Sequence, residues 1–287
     1  MITRTNSLQS RCGETLHLRI WSPEGGTGSR GSLILAHGLG GHSGRYHQAA
    51  RHFTSRGFRV YGPDLVGFGQ SGGARGDVPG GVETFAADLR QVGELAAEEQ
   101  DGEGRQIYLG HSMGGLTVLK LMREEPDLVR EAVIDGPAIH SGSGSSMVQL
   151  ALIHLLSLVA PGRTTDHGIA AERISADPEV VEDYQEDPLV HRRMSMRLAG
   201  SILREGARIR REAVQFPAGC SLLLFNGAED DIAAPEATRD FGARVSAGKK
   251  KTLVMEDMKH EVFTGRGKEE VYQEIDRFFG LLPTVTG

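Results

Sequence analysis

The feature that most constrains the fold is a serine flanked by glycines, because residues 110–115 read Gly-His-Ser-Met-Gly-Gly. Residues 106–109 before it predict a buried strand, and residues 116–122 after it predict a helix. A serine at such a junction lies on a tight turn, where neighbouring glycines remove the Cβ atoms that would collide. This is the nucleophile-elbow pattern, in which the start of the helix points backbone N–H groups at a developing oxyanion. Ser112 is therefore the predicted nucleophile.

A second stretch also fits the pattern of the elbow. Residues 69–73 read Gly-Gln-Ser-Gly-Gly, but they follow a Pro-Asp turn and lead into more glycine and arginine instead of a helix. The strand and helix that an elbow requires are missing there. Ser71 is therefore predicted to be a loop residue.

Short apolar runs alternate with helical patterns along most of the chain. Such alternation predicts a doubly wound, mostly parallel sheet with helices on both faces. The predicted strands are residues 16–21, 32–37, 59–63, 106–110, 128–135, 221–227 and 251–256, and the predicted helices are 45–56, 82–99, 113–124, 235–245 and 269–282.

The alternation is interrupted once, where residues 140–215 contain no convincing strand pattern. They open with a Ser/Gly run at 141–146 and continue through helical patterns separated by prolines. We predict a helical cap inserted into an α/β core made of residues 1–139 and 216–287. Residues 147–160 are apolar around most of a helix, so they either line an acyl pocket, touch a membrane surface or pack on the core.

A glycine-rich loop is predicted to supply the oxyanion hole. Residues 33–36 form an apolar strand that runs into His-Gly-Leu-Gly-Gly at 37–41. Glycines allow the backbone to approach a bound carbonyl oxygen closely, and an early loop of this kind faces the elbow in such folds. The expected donors are the backbone N–H groups of Leu39 and Met113.

His260 is the predicted general base. It follows the last predicted strand in a short loop before the final helix, and it comes after Ser112, as the order serine, acid, histidine requires. Other histidines fit less well, because they either precede the serine or lie in the predicted cap: His37, His42 and His111, and His154, His167 and His191.

Asp230 is the predicted acid that orients this histidine. It follows the strand predicted over residues 221–225, and a carboxylate there can hold the imidazole and stabilise its protonated form. The neighbours Glu229 and Asp231 are alternatives. Asp135 is another, since it ends the preceding predicted strand, although it also fits a simple hydrogen-bond acceptor.

Several segments resemble one family. Residues 37–46 resemble the H-G-x-x-x-H-S-x-R-Y segment of monoacylglycerol lipases and lysophospholipases, and residues 63–71 resemble their D-x-x-G-x-G-x-S loop. The elbow at 110–115 and the cap fragment at 184–189 are also similar. The likeness spans about residues 33–279. It implies an α/β-hydrolase fold in which a mobile cap gates an acyl-chain tunnel.

The resemblance also implies roles for individual residues. The triad would be Ser112, Asp230 and His260, with Leu39 and Met113 as oxyanion donors. The residues expected to contact substrate are Gly38, Arg45, His111, Tyr184 and Phe263.

Two positions depart from the family pattern. Members specific for monoglycerides tend to carry an acidic residue where this chain has Gly41, and a polar residue where it has Phe263. Both help those enzymes to hold a glycerol head group. The resemblance therefore implies hydrolysis of a lipid-like monoester, of the monoacylglycerol or lysophospholipid type, without fixing the head group.

Composition narrows the partners and the compartment. A net charge of −6 and a pI near 6.0 argue against a nucleic-acid binder. The run Lys249-Lys250-Lys251 is expected to be a solvated loop. The polar N-terminus lacks the apolar core of a secretion signal, so we expect a cytoplasmic protein that contacts membranes, if at all, transiently through the cap. No metal or organic cofactor is expected, and the oligomeric state is left open.

Three alternatives remain open. A thioester or amide hydrolase of a specialised pathway could use the same residues. An aminopeptidase could use them too, with a cap carboxylate to hold the substrate amine. A silent binding protein is a different class, and an intact triad disfavours it. For the aminopeptidase alternative, the cap carboxylates that could hold the substrate amine are Glu172, Glu179, Glu182, Asp183 and Glu186.

Overall fold

A computed structural model describes residues 1–25, 30–100, 104–139 and 147–281. The strands are β1 (Ile2–Gln9), β2 (Thr15–Ser22), β3 (Gly31–Ala36), β4 (Phe58–Pro63), β5 (Arg105–His111), β6 (Glu131–Asp135), β7 (Thr164–Asp166), β8 (Arg193–Ser195), β9 (Ser221–Gly227) and β10 (Lys249–Met255). The α-helices are α1 (His47–Ser55), α2 (Val82–Glu98), α3 (Met113–Glu124), α4 (Met147–Val159), α5 (Pro178–Glu186), α6 (Met196–Arg211), α7 (Pro235–Arg244) and α8 (Lys268–Phe279).

The described residues form a central sheet of eight strands in the order β1-β2-β4-β3-β5-β6-β9-β10. Every pairing from β4 to β10 is parallel, whereas β2 pairs antiparallel with both β1 and β4. This arrangement confirms the predicted α/β class and the mostly parallel sheet. The sequence did not predict β1, because its eight residues are almost all exposed and so carry no alternation of buried and exposed positions.

Apolar side chains cover both faces of the sheet. In β3, Leu33 and Leu35 pack with α1 and α8 on one face, while Ile34 and Ala36 pack with α2, α3 and α7 on the other. Alternate residues of a strand point to opposite faces, so a strand buried on both sides needs an unbroken apolar run. This explains why the central strands were readable from the sequence.

The turn between β5 and α3 is tightly packed against β3. Ser112 has φ +54° and ψ −116°, a conformation that non-glycine residues rarely adopt. A Cβ on Gly114 would lie 2.2 Å from the carbonyl oxygen of Ala36, and one on Gly110 would lie 2.6 Å from that of Gly114. The first turn of α3 therefore approaches β3 more closely than any side chain permits.

The segment between β6 and β9 carries α4, α5 and α6 over the carboxyl ends of the strands. The prediction that it contains no strand was wrong, because β7 and β8 pair antiparallel there. Each has only three residues, too few for a periodic signal. Hydrogen bonds tie this segment to the core, such as His191 N–H to the Gly40 carbonyl (3.2 Å) and Ser195 N–H to the Gly76 carbonyl (2.8 Å).

The lysine run at 249–251 opens β10 and is not a loop, so that expectation was also wrong. Lys249 Nζ donates to the Phe278 carbonyl at the end of α8, and Lys250 Nζ donates to carbonyls at the end of α7. Ammonium groups stabilise the unpaired carbonyls at a helix C-terminus. A run of three lysines predicts solvated charges in a loop, but two of these three side chains cap helices.

Within the described ranges, no helix combines the length and apolarity that a membrane crossing requires.

We predict that Gly114→Ala destabilises the protein by roughly 1–3 kcal/mol, because its methyl group overlaps the backbone of β3. Urea unfolding followed by circular dichroism measures the change. Gly219→Ala is the matched control, since a Cβ there meets nothing within 4 Å. Equal midpoints for the two variants would contradict the packing argument.

Candidate active site

The residues predicted to react lie together at the carboxyl edge of the sheet. Chain order reverses between β3 and β5, since β4 lies on one side of β3 and β5 on the other. Loops after the strands on either side of such a switch point enclose a crevice, which is the usual ligand site of open α/β sheets. Here the loop at 37–41 follows β3 and Ser112 follows β5. The loops after β9 and β10 bring Asp230 and His260 to the same edge.

His260 and Asp230 form a buried hydrogen-bonded pair. Nδ1 of His260 lies 2.8 Å from Oδ2 of Asp230, while Oδ1 accepts the backbone N–H groups of Ile232 (2.8 Å) and Ala233 (2.9 Å). Burial opposes both charges, yet the pairing raises the pKa of His260 and lowers the pKa of Asp230 relative to their ordinary values. The other ring nitrogen, Nε2, is left available for a proton from a hydroxyl group.

Two residues that the sequence analysis missed support this pair. Asn226 Nδ2 donates to Oδ2 of Asp230 (3.0 Å), which fixes the carboxylate from the strand side. Gly136 has φ +46°, and a Cβ there would lie 3.0 Å from Nδ1 of His260. Asn226 lies only four residues before Asp230, so its place at the end of β9 was a local signal that could have indicated it. Gly136 reaches His260 from a distant segment, so no local spacing reveals it.

Asp135 is hydrogen-bonded to a different histidine from the candidate base. Its Oδ2 lies 2.8 Å from Nδ1 of His111 and also accepts the backbone N–H of Val262 (3.3 Å). The ring of His111 contacts that of His260, with centroids 4.6 Å apart. Complete burial raises the pKa of Asp135. Geometry therefore favours Asp230 over Asp135 as the partner of the candidate base, and Asp231 instead pairs with Arg173 at the surface.

His37 holds the glycine-rich loop in place. Its Nε2 accepts the Leu65 backbone N–H (2.9 Å), so Nδ1 carries the proton and donates to the Gly38 carbonyl (2.8 Å). Burial lowers the pKa of His37 to about 4, which keeps the ring neutral at ordinary pH. A histidine with both nitrogens engaged in this way cannot serve as the base.

Ser112 borders a small cavity of about 20 Å³, which we name the polar cavity for its charged side chains, although Ile169 and Ile174 also line it. His260 lines it, as do Gly38, Arg45, His111 and Tyr184, which were predicted to contact substrate. The sequence analysis missed Glu261, which also lines it. Arg45 Nη2 donates to Oε2 of Glu261 (3.1 Å), and the guanidinium carbon lies 4.7 Å from the centre of the Tyr184 ring. Burial opposes ionisation of Glu261, but the charge of Arg45 holds its pKa below the ordinary value.

Ser112 also borders a larger apolar cavity of about 230 Å³. Leu39 and Met113, the predicted oxyanion donors, lie at the serine end. Met113 is the first residue of α3, so its N–H has no partner within the helix. The rest of the wall comes from the core and the segment above it, and includes Ala138, Ile139, Leu150, Ile153, Met194, Ile202 and Leu203.

The family follows from comparison with known proteins. The model of the family described as serine aminopeptidase S33 matches residues 27–266. A monoacylglycerol lipase of Mycolicibacterium smegmatis is 32% identical over 257 residues, which cover 89% of each chain. The chain therefore belongs to the serine aminopeptidase S33 family of α/β-hydrolases. The predicted family resemblance is therefore confirmed.

Solved structures agree with the assignment of this chain to the α/β-hydrolases. A monoacylglycerol lipase of Paleococcus ferrophilus superposes with a TM-score of 0.84 at 30% identity, covering 93% of this chain and 99% of that one. A soluble variant of the Saccharomyces cerevisiae monoglyceride lipase, in complex with a substrate analogue, gives a TM-score of 0.89 over 99% of this chain and 97% of that one. At 18% identity the second likeness shows the fold alone.

Phe263 was predicted to contact substrate, but this prediction was wrong, because its side chain lies in the core. Its side chain is buried against Phe225 in the core on the α1 and α8 face, with ring centroids 6.4 Å apart. The cavity linings described around Ser112 do not include it. Three residues after His260 the chain has already turned into the core, so Phe263 packs where a polar side chain would be costly.

We predict that Asp230→Asn lowers the kcat of this hydrolase about 10⁴-fold, because the imidazole loses its orientation and its counter-charge. Asp135→Asn removes an equally buried carboxylate that contacts His111, and this variant should lower kcat far less than Asp230→Asn does. Steady-state kinetics on an activated ester, with folding checked by circular dichroism, compares the two variants. The reverse ranking would assign the acid to Asp135.

Proposed function

We propose that this protein is a serine-dependent hydrolase that cleaves a carboxylic ester of the lipid-monoester type through an acyl-enzyme on Ser112. One observation carries the proposal. The strained serine beside the Asp230–His260 pair borders an apolar cavity and also the small polar cavity, where Arg45 and Glu261 bring charged groups close to it. An ester with a long acyl chain and a small alcohol has the same two-sided character.

The mechanism follows from the geometry. His260 takes the proton of the Ser112 hydroxyl as its oxygen attacks the ester carbonyl, and Asp230 stabilises the imidazolium. The N–H groups of Leu39 and Met113 receive the negative oxygen of the tetrahedral intermediate. The alcohol leaves with the proton from His260. Water then attacks the acyl-enzyme by the same route, which releases the acid and restores the serine.

Esters are favoured over peptides as substrates. The five cap carboxylates predicted as candidates to hold a substrate amine are all exposed, and none of the five lines the polar cavity in the described part of the chain. Relatives named as monoacylglycerol lipases support the same choice. Thioesters and amides are not favoured, since nothing in the cavities distinguishes them while the relatives point to lipid esters.

We further propose that residues 140–215 act as the cap over this site and touch membrane surfaces. Helix α4 turns Leu150 and Ile153 towards the apolar cavity. Its opposite side exposes large apolar residues to solvent, including Leu155 (54% exposed) and Leu158 (65%). Apolar residues exposed together on one helix are suited to lie in a lipid interface. Substrate could then pass from the membrane into the cavity beneath.

Ser112→Ala should abolish hydrolysis of monoacylglycerols and p-nitrophenyl esters, with a loss of roughly 10⁴-fold or more. Wild type should not cleave an aminoacyl p-nitroanilide that is assayed in parallel with these esters. Labelling by a fluorophosphonate should occur in wild type and not in the variant. Persistent activity in the variant, or efficient cleavage of the anilide alone, would refute the proposed function.

Leu158→Glu should weaken binding to phosphatidylcholine vesicles roughly tenfold, because it removes apolar area that would enter the lipid. Val214→Glu is the matched control, since Val214 is also 65% exposed but lies outside α4. Vesicle co-sedimentation measures both. Equal binding by the two variants would rule out a membrane contact through this helix.

A further inference from the structure

A second buried carboxylate–histidine pair lies beside the candidate triad. The side chain of His111 is 4% exposed and that of Asp135 is completely buried, with Nδ1 of the ring 2.8 Å from Oδ2 of the carboxylate. The ring of His111 contacts the ring of His260 at a centroid distance of 4.6 Å. Acyl transfer through a serine needs one histidine and one carboxylate, which His260 and Asp230 already provide. A second such pair in direct contact with the first therefore calls for a role of its own.

Asp135 contacts the segments that carry the candidate nucleophile and the candidate base. Its backbone carbonyl accepts the N–H of Ser112 (2.9 Å), and its Oδ2 accepts the N–H of Val262 (3.3 Å), two residues after His260. The same oxygen faces Nδ1 of His111, so it accepts two N–H groups, as a carboxylate can. Asp135 is thus tied to both segments, although the linings of the two cavities do not include it.

The negative charge of Asp135 has no lysine or arginine partner among the described residues, where its ion pair is with His111. Its Oδ1 is buried and accepts no hydrogen bond from those residues. Burial raises the pKa of Asp135, whereas its contacts with His111 and His260 oppose that rise and favour the charged form. A buried charge that no fixed cation offsets acts strongly on titratable groups nearby.

The charged and titratable groups that face His260 come from the segments packed around it. They are Asp230 after β9, Asp135 at the end of β6, His111 at the end of β5, and the adjacent Glu261 with its partner Arg45. Arg45 offsets the charge of Glu261. In the described part of the chain, the carboxylates here without a lysine or arginine partner are therefore Asp230 and Asp135. Burial lowers the pKa of His260, but nearby carboxylates, Asp230 first and then Asp135, raise it above its ordinary value.

We propose that Asp135 is a positioning residue of the proposed ester hydrolysis, in which its carboxylate acts as a second counter-charge for His260 and stabilises the protonated base. This rests on the acyl transfer proposed at Ser112, because His260 gains its proton when the serine hydroxyl attacks. Asp135 acts across the ring of His111 and contacts no substrate, so it is not a second general acid or base. Asp230 orients the imidazole through a hydrogen bond, and Asp135 adds negative charge without one.

The test measures kcat/KM for p-nitrophenyl butyrate from about pH 5 to pH 9, because the acidic limb of this profile reports protonation of the base in the free enzyme. Active sites are first counted with a fluorophosphonate, so that misfolded protein does not enter kcat. Asp135→Asn removes a negative charge and so should lower the pKa of His260. Since the base works in its neutral form, the acidic limb should move to lower pH by about 0.5–1 unit, and kcat on the plateau should fall about three- to tenfold.

Further variants separate the charge of Asp135 from its packing. Asp135→Ser is a second neutral variant that keeps a hydrogen-bond acceptor, and its acidic limb should move in the same direction. His111→Gln keeps an N–H donor for Asp135 and leaves the carboxylate charged, so its limb should not move to lower pH. Asp88→Asn is the control, because Asp88 is a carboxylate only 1% exposed that lies on α2 and accepts from Ser10, and its limb and plateau should stay at the wild-type values.

Several results would overturn the inference while ester hydrolysis stands. The inference is wrong if Asp135→Asn and Asp135→Ser lower kcat but leave the acidic limb in place, since Asp135 then only supports the fold. It is equally wrong if His111→Gln moves the limb to lower pH as far as Asp135→Asn does, or if Asp135→Asn lowers kcat as much as Asp230→Asn. If wild type neither hydrolyses the ester nor reacts with the fluorophosphonate, the proposed function fails and the inference with it.

Discussion

The close approach of two backbones underlies the rest of the site. The first turn of α3 lies against the end of β3 at a distance that only a glycine at position 114 permits, and Ser112, next to this contact, has a positive φ. The same contact places the start of α3 beside the loop at 37–41, so that helix and loop can address one oxygen atom. Side chains from other segments complete the candidate site, and this backbone contact lies at its centre.

The buried charges around the serine are separated into pairs. Asp230 contacts His260, Asp135 contacts His111, and Glu261 contacts Arg45. The rings of the two histidines touch, yet each has its own carboxylate, so one histidine can gain a proton without depriving the other of its partner. In a water-poor site such pairing keeps each charge locally compensated.

How much the sequence predicts depends on whether the signal is local. The elbow around Ser112, the loop at 37–41 and the apolar strands are readable because a turn or a strand needs particular residues at fixed spacing. The placement of His260 after the last strand is also readable, from chain order. These signals were enough for the α/β class and for a candidate triad.

What the sequence could not reveal depends on distant partners. Glu261 matters only because the loop after β10 folds against Arg45, 216 residues away in sequence. The family resemblance predicts that Phe263 contacts substrate, but the chain turns into the core before this residue. Strand β1 exists because β2 provides its partner, and its polar exposed sequence carries no pattern of its own.

The lysine run of β10 has a consequence for the behaviour of the sheet in concentrated solution. Strand β10 is one edge of the sheet, and an edge strand offers unpaired backbone groups to any other chain. Lys249 and Lys250 cap neighbouring helices from this edge, and Lys251 pairs with Glu274 of α8. An incoming strand would have to displace these contacts and bring its own backbone beside three positive charges. The residues that finish two helices thus also protect the open edge against aggregation.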